Sequence, residues 1–304
     1  MADKILIVGS GAMATLFAAR LSASGVLVKM IGSWQEGLTA LARHGAVLVN
    51  QQGDQHAYPV QILESSSKPE KLLHALVLVK SWQTTRVASQ LPALLHQQGL
   101  VLTLQNGLGN RDILAEFLGT DRVAQGVTTL GGTLLGPGRV QQVGEGELAL
   151  EAHPKLEPLT ELLIGAGFQI KFVSDSESLI WGKLVINSAI NPLSALLRLT
   201  NGELLEHPTR RLLLADLVRE SAAVATANGI RLPYSDPVIA AEDVARRTSS
   251  NRSSMLQDVE RGAPTEIDAI SGAIVALGKS LGVPTPYNAS MVRLVQAINP
   301  TSPL

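Results

Sequence analysis

The chain contains no cysteine. That absence excludes disulfides, thiol nucleophiles, iron–sulfur clusters and Cys-ligated zinc, and nothing calls for an oxidising compartment. Aromatic residues are scarce at 3%, and charged residues reach only 17% against 45% apolar. Neither sign of charge is in surplus: 25 Lys+Arg stand against 26 Asp+Glu, a formal net charge of −1. A protein that grips nucleic acid by neutralising phosphates needs a basic excess, so that class is disfavoured. The histidines His44, His56, His74, His96, His153 and His207 never take an i, i+4 spacing, which argues against a protein-built metal site. No stretch approaches the ~20 apolar residues of a membrane span. Met1-Ala2-Asp3-Lys4 runs directly into a strand-like segment, without a signal-peptide pattern. The expectation is a cytoplasmic protein with no nucleic-acid or membrane partner, whose apolar residues are core.

What is present suits two domains, since 304 residues exceed one ordinary core. Short β-branched runs at 4–8, 26–31, 75–79 and 100–104 alternate with helical spacing over 12–24, 34–44 and 84–97. Strands separated by helix-length segments indicate βαβ units and a parallel sheet covered on both faces. After residue 120 short strands at 123–129, 139–143 and 147–150 are split by glycine turns, and read as antiparallel additions to the sheet edge. A helix over 156–165 and a strand over 168–173 close this part. Ser174-Asp175-Ser176-Glu177 then offers a capping box before a long apolar-periodic run. Helical patterns continue over 177–199, 209–228, 237–247 and 266–281, with a last helix near 290–298. The reading is an α/β Rossmann-type doubly wound domain over 1–174, followed by an all-α domain over 175–304.

Gly9-Ser10-Gly11-Ala12-Met13-Ala14 places G-x-G-x-x-A between the first strand and the first helix, the context that the dinucleotide fingerprint demands. Gly9 permits the tight turn, Gly11 lets backbone approach a pyrophosphate, and Ala14 allows close helix–strand packing. The diphosphate would lie at the helix N-terminus, where free amides and the dipole favour an anion. At the end of the second strand, Gly32-Ser33-Trp34-Gln35 has no acid before Glu36. An acid there would reject a 2′-phosphate, so its absence favours NADP, although no Arg stands by to clamp the phosphate.

Ligands of such sheets bind outside the carboxyl ends of the strands. Val79-Lys80 and Gln105-Asn106-Gly107 fall at two such ends. Lys80 suits a cofactor phosphate or ribose, and equally a surface lysine. Asn106 suits nicotinamide or substrate, and equally a turn former. Lys183, Asn187 and Asn191 repeat at i, i+4, i+8 and so share one helical face amid apolar neighbours. Buried there they would need polar partners; a solvated face is the competing reading. Pro192 interrupts this helix and frees the Ser188 carbonyl. Asn251 and the run Ser253-Ser254-Met255-Leu256-Gln257-Asp258 suit carboxylate and hydroxyl recognition. Glu266 falls in the first turn of a helix, where the dipole favours an anion.

Together the Gly9-x-Gly11 turn, Val79-Lys80, Gln105-Asn106-Gly107, Lys183…Asn187…Asn191-Pro192, Asn201-Gly202-Glu203-Leu204, Ser253–Asp258 and Thr265-Glu266-Ile267-Asp268 resemble the ketopantoate reductase (2-dehydropantoate 2-reductase) family over nearly the whole chain. The resemblance implies NADPH-dependent reduction of 2-dehydropantoate to (R)-pantoate in pantothenate biosynthesis. It also implies a cleft enclosed by a Rossmann domain and a helical substrate or dimerisation domain, with a homodimer as a candidate assembly. By the same resemblance Lys183 is the general acid, and Lys80, Asn106, Gly131 and Glu266 join Gly9–Ala14 as cofactor contacts. Asn106, Lys183, Asn187, Asn191, Asn201, Asn251, Ser253 and Ser254 become substrate contacts, with no metal. The chain departs from the family pattern in Ala14, where glycine is more usual, and in the missing Arg after the second strand. The alternatives are another two-domain NAD(P)-dependent 2-keto/hydroxy acid or opine-type dehydrogenase, and a non-catalytic NADP(H) sensor.

Overall fold

The computed structural model describes residues 3–63 and 70–299. β1 (Lys4–Val8) leads through α1 (Ala12–Ala23), β2 (Leu27–Ile31), α2 (Gln35–His44), β3 (Ala46–Val49) and β4 (Gln55–Tyr58) to β5 (Gln61–Ile62). Then come β6 (Leu72–Val77), α3 (Thr84–Leu94), β7 (Leu95–Thr103), α4 (Asn110–Leu118) and β8 (Val123–Thr128). β9 (Gly131–Gly136), β10 (Arg139–Val143), β11 (Glu147–Glu151), α5 (Glu157–Gly165) and β12 (Gln169–Val173) follow. The remainder is helical: α6 (Ser176–Leu197), α7 (Pro208–Ala227), α8 (Pro237–Arg247), α9 (Ser254–Glu260), α10 (Ala273–Leu281) and α11 (Pro286–Ile298). A wide π-type turn, Asp268–Gly272, runs directly into α10.

By its contacts the chain divides into two units, Met1–Gln105 with Gly109–Ser176, and Asn106–Leu108 with Glu177–Leu304. The first unit holds an eight-stranded sheet in the order β12-β11-β8-β7-β6-β1-β2-β5. From β5 to β8 this is the parallel doubly wound order, and its direction of winding reverses between β1 and β6. Both faces of β1 are buried because its alternate side chains enter different cores. Ile5 and Ile7 pack with Phe17 and Leu21 of α1 and Leu159 and Leu163 of α5. Leu6 and Val8 pack with Val87 and Leu91 of α3 and Leu114 and Leu118 of α4. That two-sided burial is why the strand reads as an unbroken apolar run. Truncating a side chain such as Leu91 to Ala would cost about 2–5 kcal/mol. Two of the few aromatic rings, Phe17 and Phe168, stack at 4.4 Å, with the Arg20 guanidinium 3.9 Å over Phe168.

The expected antiparallel additions are corrected in part. β11 does pair antiparallel with β8, and β12 extends the edge parallel to β11. β8 itself, however, continues the parallel sheet beside β7. β10 leaves that sheet altogether and joins β4-β3-β10-β9. Its partner β3 lies far away in sequence, so no local pattern signals the pairing.

Strand and helix ends also shift. β6 begins at Leu72 and stops at Val77, and α9 forms over a run that the sequence reading takes only for its hydroxyls and amides, with Met255 and Leu256 buried. α6 begins at Ser176, whose hydroxyl donates to Glu151 Oε2 at 3.1 Å. It runs unbroken through Pro192, so the expected interruption is absent. Among the described residues no helix is long and apolar enough to cross a membrane.

Candidate active site

β1 stops at Val8 and α1 starts at Ala12, so Gly9, Ser10 and Gly11 form the whole turn. Gly9 has φ +135°, a conformation open to glycine and strained for other residues. A Cβ there would lie 3.2 Å from the Ala14 Cβ and from the Leu78 carbonyl. The bare Gly9 therefore makes room for the methyl of Ala14, and the departure at the third position of the motif is absorbed. A Cβ on Gly11 would meet nothing within 4 Å. Gly11 caps α1 with extended backbone and no side-chain hydrogen bond, and the first turn carries no acid. The first internal bond of the helix is Thr15 N–H to the Gly11 carbonyl, 2.9 Å. The positive end of α1 thus opens on unfilled space beside Gly11. Ser10 is buried, and the β9 hairpin passes close by, with a Cβ on Gly132 falling 3.6 Å from the Ala12 Cβ. That places Gly131 near the turn.

Lys80 follows the end of β6, half-buried, just before a single 3₁₀ turn at Ser81–Gln83. Its neighbours are held by a network that sequence reading missed. Gln105 Nε2 donates to the Val79 carbonyl at 3.0 Å and to Thr84 Oγ1 at 2.8 Å. Thr84 Oγ1 lies 2.8 Å from both the Ser81 carbonyl and Asn110 Oδ1. Val79 and Ser81, on either side of Lys80, are thereby fixed to the end of β7 and the start of α4. The available signal was a set of polar residues at the ends of two parallel strands. At the end of β2, Ser33 Oγ donates to Gln83 Oε1 at 3.3 Å.

In the helical unit, Lys183, Asn187 and Asn191 share one face of α6, the first two half-buried and Asn191 buried. Loss of water lowers the Lys183 ammonium from its ordinary 10.5 to about 8, while the carboxylate of Glu266 pulls the other way. Glu266 is 6% exposed and precedes the π-type turn instead of sitting in the first turn of a regular helix. The residue before Lys183 is buttressed: Tyr234 Oη donates to the Gly182 carbonyl at 3.0 Å, and a Cβ on Gly182 would press to 2.7 Å from Pro233. Asn106 is half-buried and belongs, with Gly107 and Leu108, to this unit.

Asn201 is buried, and its amide N–H donates to the Asn251 carbonyl at 3.0 Å. Its Nδ2 donates to Thr248 Oγ1 at 2.9 Å, and that hydroxyl spends its own proton on the Val244 carbonyl at 2.7 Å. The Asn201 amide therefore cannot be turned over, and its Oδ1 is a buried acceptor with no donor. Ser253 is occupied structurally: its Oγ caps α9 by accepting from Leu256 N–H at 3.1 Å, and it receives Ser194 Oγ at 2.6 Å. Ser254 is exposed and Asn251 half-buried. Lys183 and Glu266 are thus coupled through their charges, and Asn201 and Asn251 are joined by a hydrogen bond. Ser253 Oγ accepts two bonds that hold the start of α9.

Family models describe the two halves of the chain in the same terms. "Ketopantoate reductase PanE/ApbA" matches residues 5–155, and "Ketopantoate reductase PanE/ApbA C terminal" matches 175–299. The 2-dehydropantoate 2-reductase of Archaeoglobus fulgidus is 34% identical over 97% of this chain and 98% of its own length. That of Halobacterium salinarum is 31% identical over 96% and 99%. Among solved structures, D-mandelate dehydrogenase with NADH and anilino(oxo)acetate superposes with a TM-score of 0.90 at 29% identity, covering 98% of both chains. A ketopantoate reductase from Ralstonia eutropha JMP134 gives 0.88 at 32% identity, also over 98% of both.

Proposed function

The chain belongs to the ketopantoate reductase family, and we propose that it reduces 2-dehydropantoate to (R)-pantoate with NADPH, using Lys183 as the proton donor. The observation that carries this reading is a lysine ammonium lowered to about 8 beside the buried Glu266, on the same helical face as Asn187 and Asn191. The glycine turn fits a dinucleotide: a Cβ at Gly11 would occupy open space at an uncapped helix N-terminus, the setting that a diphosphate requires. Gly9–Ala14, Lys80 and Gly131 are assigned to the α/β part of the cofactor site, and Asn106 and Glu266 to its nicotinamide end. A bound reduced nicotinamide supplies a hydride to the keto carbon.

Charge then develops on the carbonyl oxygen, and a donor within hydrogen-bond reach lowers the barrier. Lys183 Nζ gives its proton to that oxygen, the C=O becomes CH–OH, and the neutral amine is reprotonated from solvent. A lysine at about 8 remains mostly ammonium at neutral pH and yet releases a proton far more readily than an ordinary lysine. Asn106, Asn187, Asn191, Asn201, Asn251 and Ser254 are assigned to substrate orientation. Asn201 is the best supported, because its orphan Oδ1 calls for a donor such as the substrate hydroxyl. Ser253 is assigned to shaping that contact surface.

A second reading, NADH-dependent reduction of an aryl keto acid, is favoured by the likeness to D-mandelate dehydrogenase and by the missing Arg after β2. Oxidation of NADPH and NADH followed by absorbance against ketopantoate and benzoylformate separates the two. Higher kcat/KM for ketopantoate with NADPH is expected. Preference for benzoylformate with NADH would replace the first reading by the second.

A further inference from the structure

Two helical irregularities meet beside the residues assigned to proton transfer. In α6, Pro192 lacks the amide that would bond the Ser188 carbonyl one turn back, yet the helix continues to Leu197. Ser188 is fully buried, so bulk water does not reach that carbonyl. The donor that reaches it is Ser271 Oγ, 3.5 Å away and also fully buried. Ser271 lies in the second irregularity, the π-type turn Asp268–Gly272, which starts two residues after Glu266. Such turns are rare and concentrate at functional sites. The same turn seats the Asn106 segment: Gly107 has φ +84°, and a Cβ there would stand 2.6 Å from the Ala269 carbonyl. On its other side Ser188 Oγ lies 2.8 Å from the Val185 carbonyl and 2.7 Å from Ser221 Oγ, which receives Asn288 Nδ2 at 3.3 Å. α6 is therefore held from α7, itself tied to α11, at the level where Ser271 arrives.

We propose that Asp268–Gly272 is a positioning element in which Ser271, by donating to the carbonyl that Pro192 leaves open, ties the Glu266 segment to α6 and sets Glu266 against Lys183, while Ala269 seats Asn106–Leu108. This rests on the reading of Lys183 as proton donor only for its effect on turnover. Glu266 is the charged group whose field acts on Lys183. Of the unit's other carboxylates in this region, buried Asp258 pairs with Arg261 at 3.0 Å, and Glu220 accepts from the amides of Tyr287 and Asn288 at 2.8 and 2.9 Å. If the tie is cut, the carboxylate recedes and desolvation lowers the lysine further.

The test follows Lys183 by NMR of ¹³Cε-lysine protein through a pH titration, a measurement that needs no substrate. Ser271→Ala should displace the titration downward by about one pH unit, the scale of a weakened opposite charge. It should also lower kcat about 10–100-fold. Pro192→Ala combined with Ser271→Ala restores a backbone donor to the Ser188 carbonyl without restoring the tie. Its melting temperature should recover while the Lys183 titration stays displaced. Should the single variant fail to fold, the double variant decides alone. A wild-type titration in either variant would overturn the proposal, since Ser271 would then only satisfy a carbonyl. Failure of the unmodified enzyme to reduce ketopantoate would refute the proposed function and leave the titration result standing.

Discussion

The α/β unit and the helical unit build their shares of the chemistry from different materials. Around Gly9–Ala14 the working parts are backbone: amides at a helix start, a positive φ, and room where side chains are missing. In the helical unit the working parts are side chains, drawn from α6, the Asn201 turn, the α8–α9 connection and the Glu266 segment, and each needs its own support. Backbone sites are carried by a short contiguous motif and fail when a side chain is added. Side-chain sites are dispersed along the chain and fail when a side chain is removed.

The largest effect should come from adding bulk to the backbone site. Gly11→Val should abolish measurable binding of NADPH and NADH in fluorescence titration, with the far-ultraviolet circular dichroism unchanged. A folded variant with wild-type affinity would break the comparison on its first side. Next comes removal of the proton donor. Lys183→Ala should lower kcat by about 10²–10⁴-fold while leaving NADPH affinity near wild type. Wild-type turnover at saturating substrate would mean that the proton comes from elsewhere.

Smaller again is the loss of an orienting amide. Asn201→Ala should raise KM for the keto acid about tenfold, the scale of one hydrogen bond, with a lesser effect on kcat. An unchanged KM would assign the orphan Oδ1 to a buried water. The most subtle effects are those of pH. Activity of the unmodified enzyme should fall as pH rises through about 8, where Lys183 loses its proton. Glu266→Gln removes the anion that holds the proton on, so the descending limb should move to lower pH. For stability the sign is opposite. Between about 8 and the ordinary 10.5 the folded state holds fewer protons on Lys183 than the unfolded state, so this group's contribution to stability rises with pH. Melting temperatures of the unmodified protein and Lys183→Met across that range should converge as pH rises.

Much of the α/β unit could be read directly because its signals are local. β1, α1 and the turn joining them are fixed by an apolar run, a glycine pair and a helical repeat within two dozen residues. The second sheet could not be read, because β3 and β10 meet across a long separation and carry too little alternation to betray a partner. The three polar residues of α6 were legible from their spacing. The helical repeat past Pro192 was legible too, but the contact of Ser271 with the Ser188 carbonyl was not, because Ser271 comes from far along the chain and has no motif of its own. Likewise Thr84 and Asn110 look unremarkable in sequence and, with Gln105, acquire meaning as a network beside Lys80.

By itself, then, the sequence determined the kinds of element, the doubly wound start, the glycine turn and the identity of the polar residues available for chemistry. Each of these depends on side-chain period or on the conformational range of single residues. Tertiary structure alone decided which of those polar residues also hold the fold, as Ser253 does by accepting from Leu256 N–H and Ser194 Oγ, and which keep an unsatisfied atom, as Asn201 does. It also decided how far the Lys183 ammonium is lowered. The physical reason is that desolvation and hydrogen-bond satisfaction depend on everything packed around a group, and most of those neighbours lie far away along the chain.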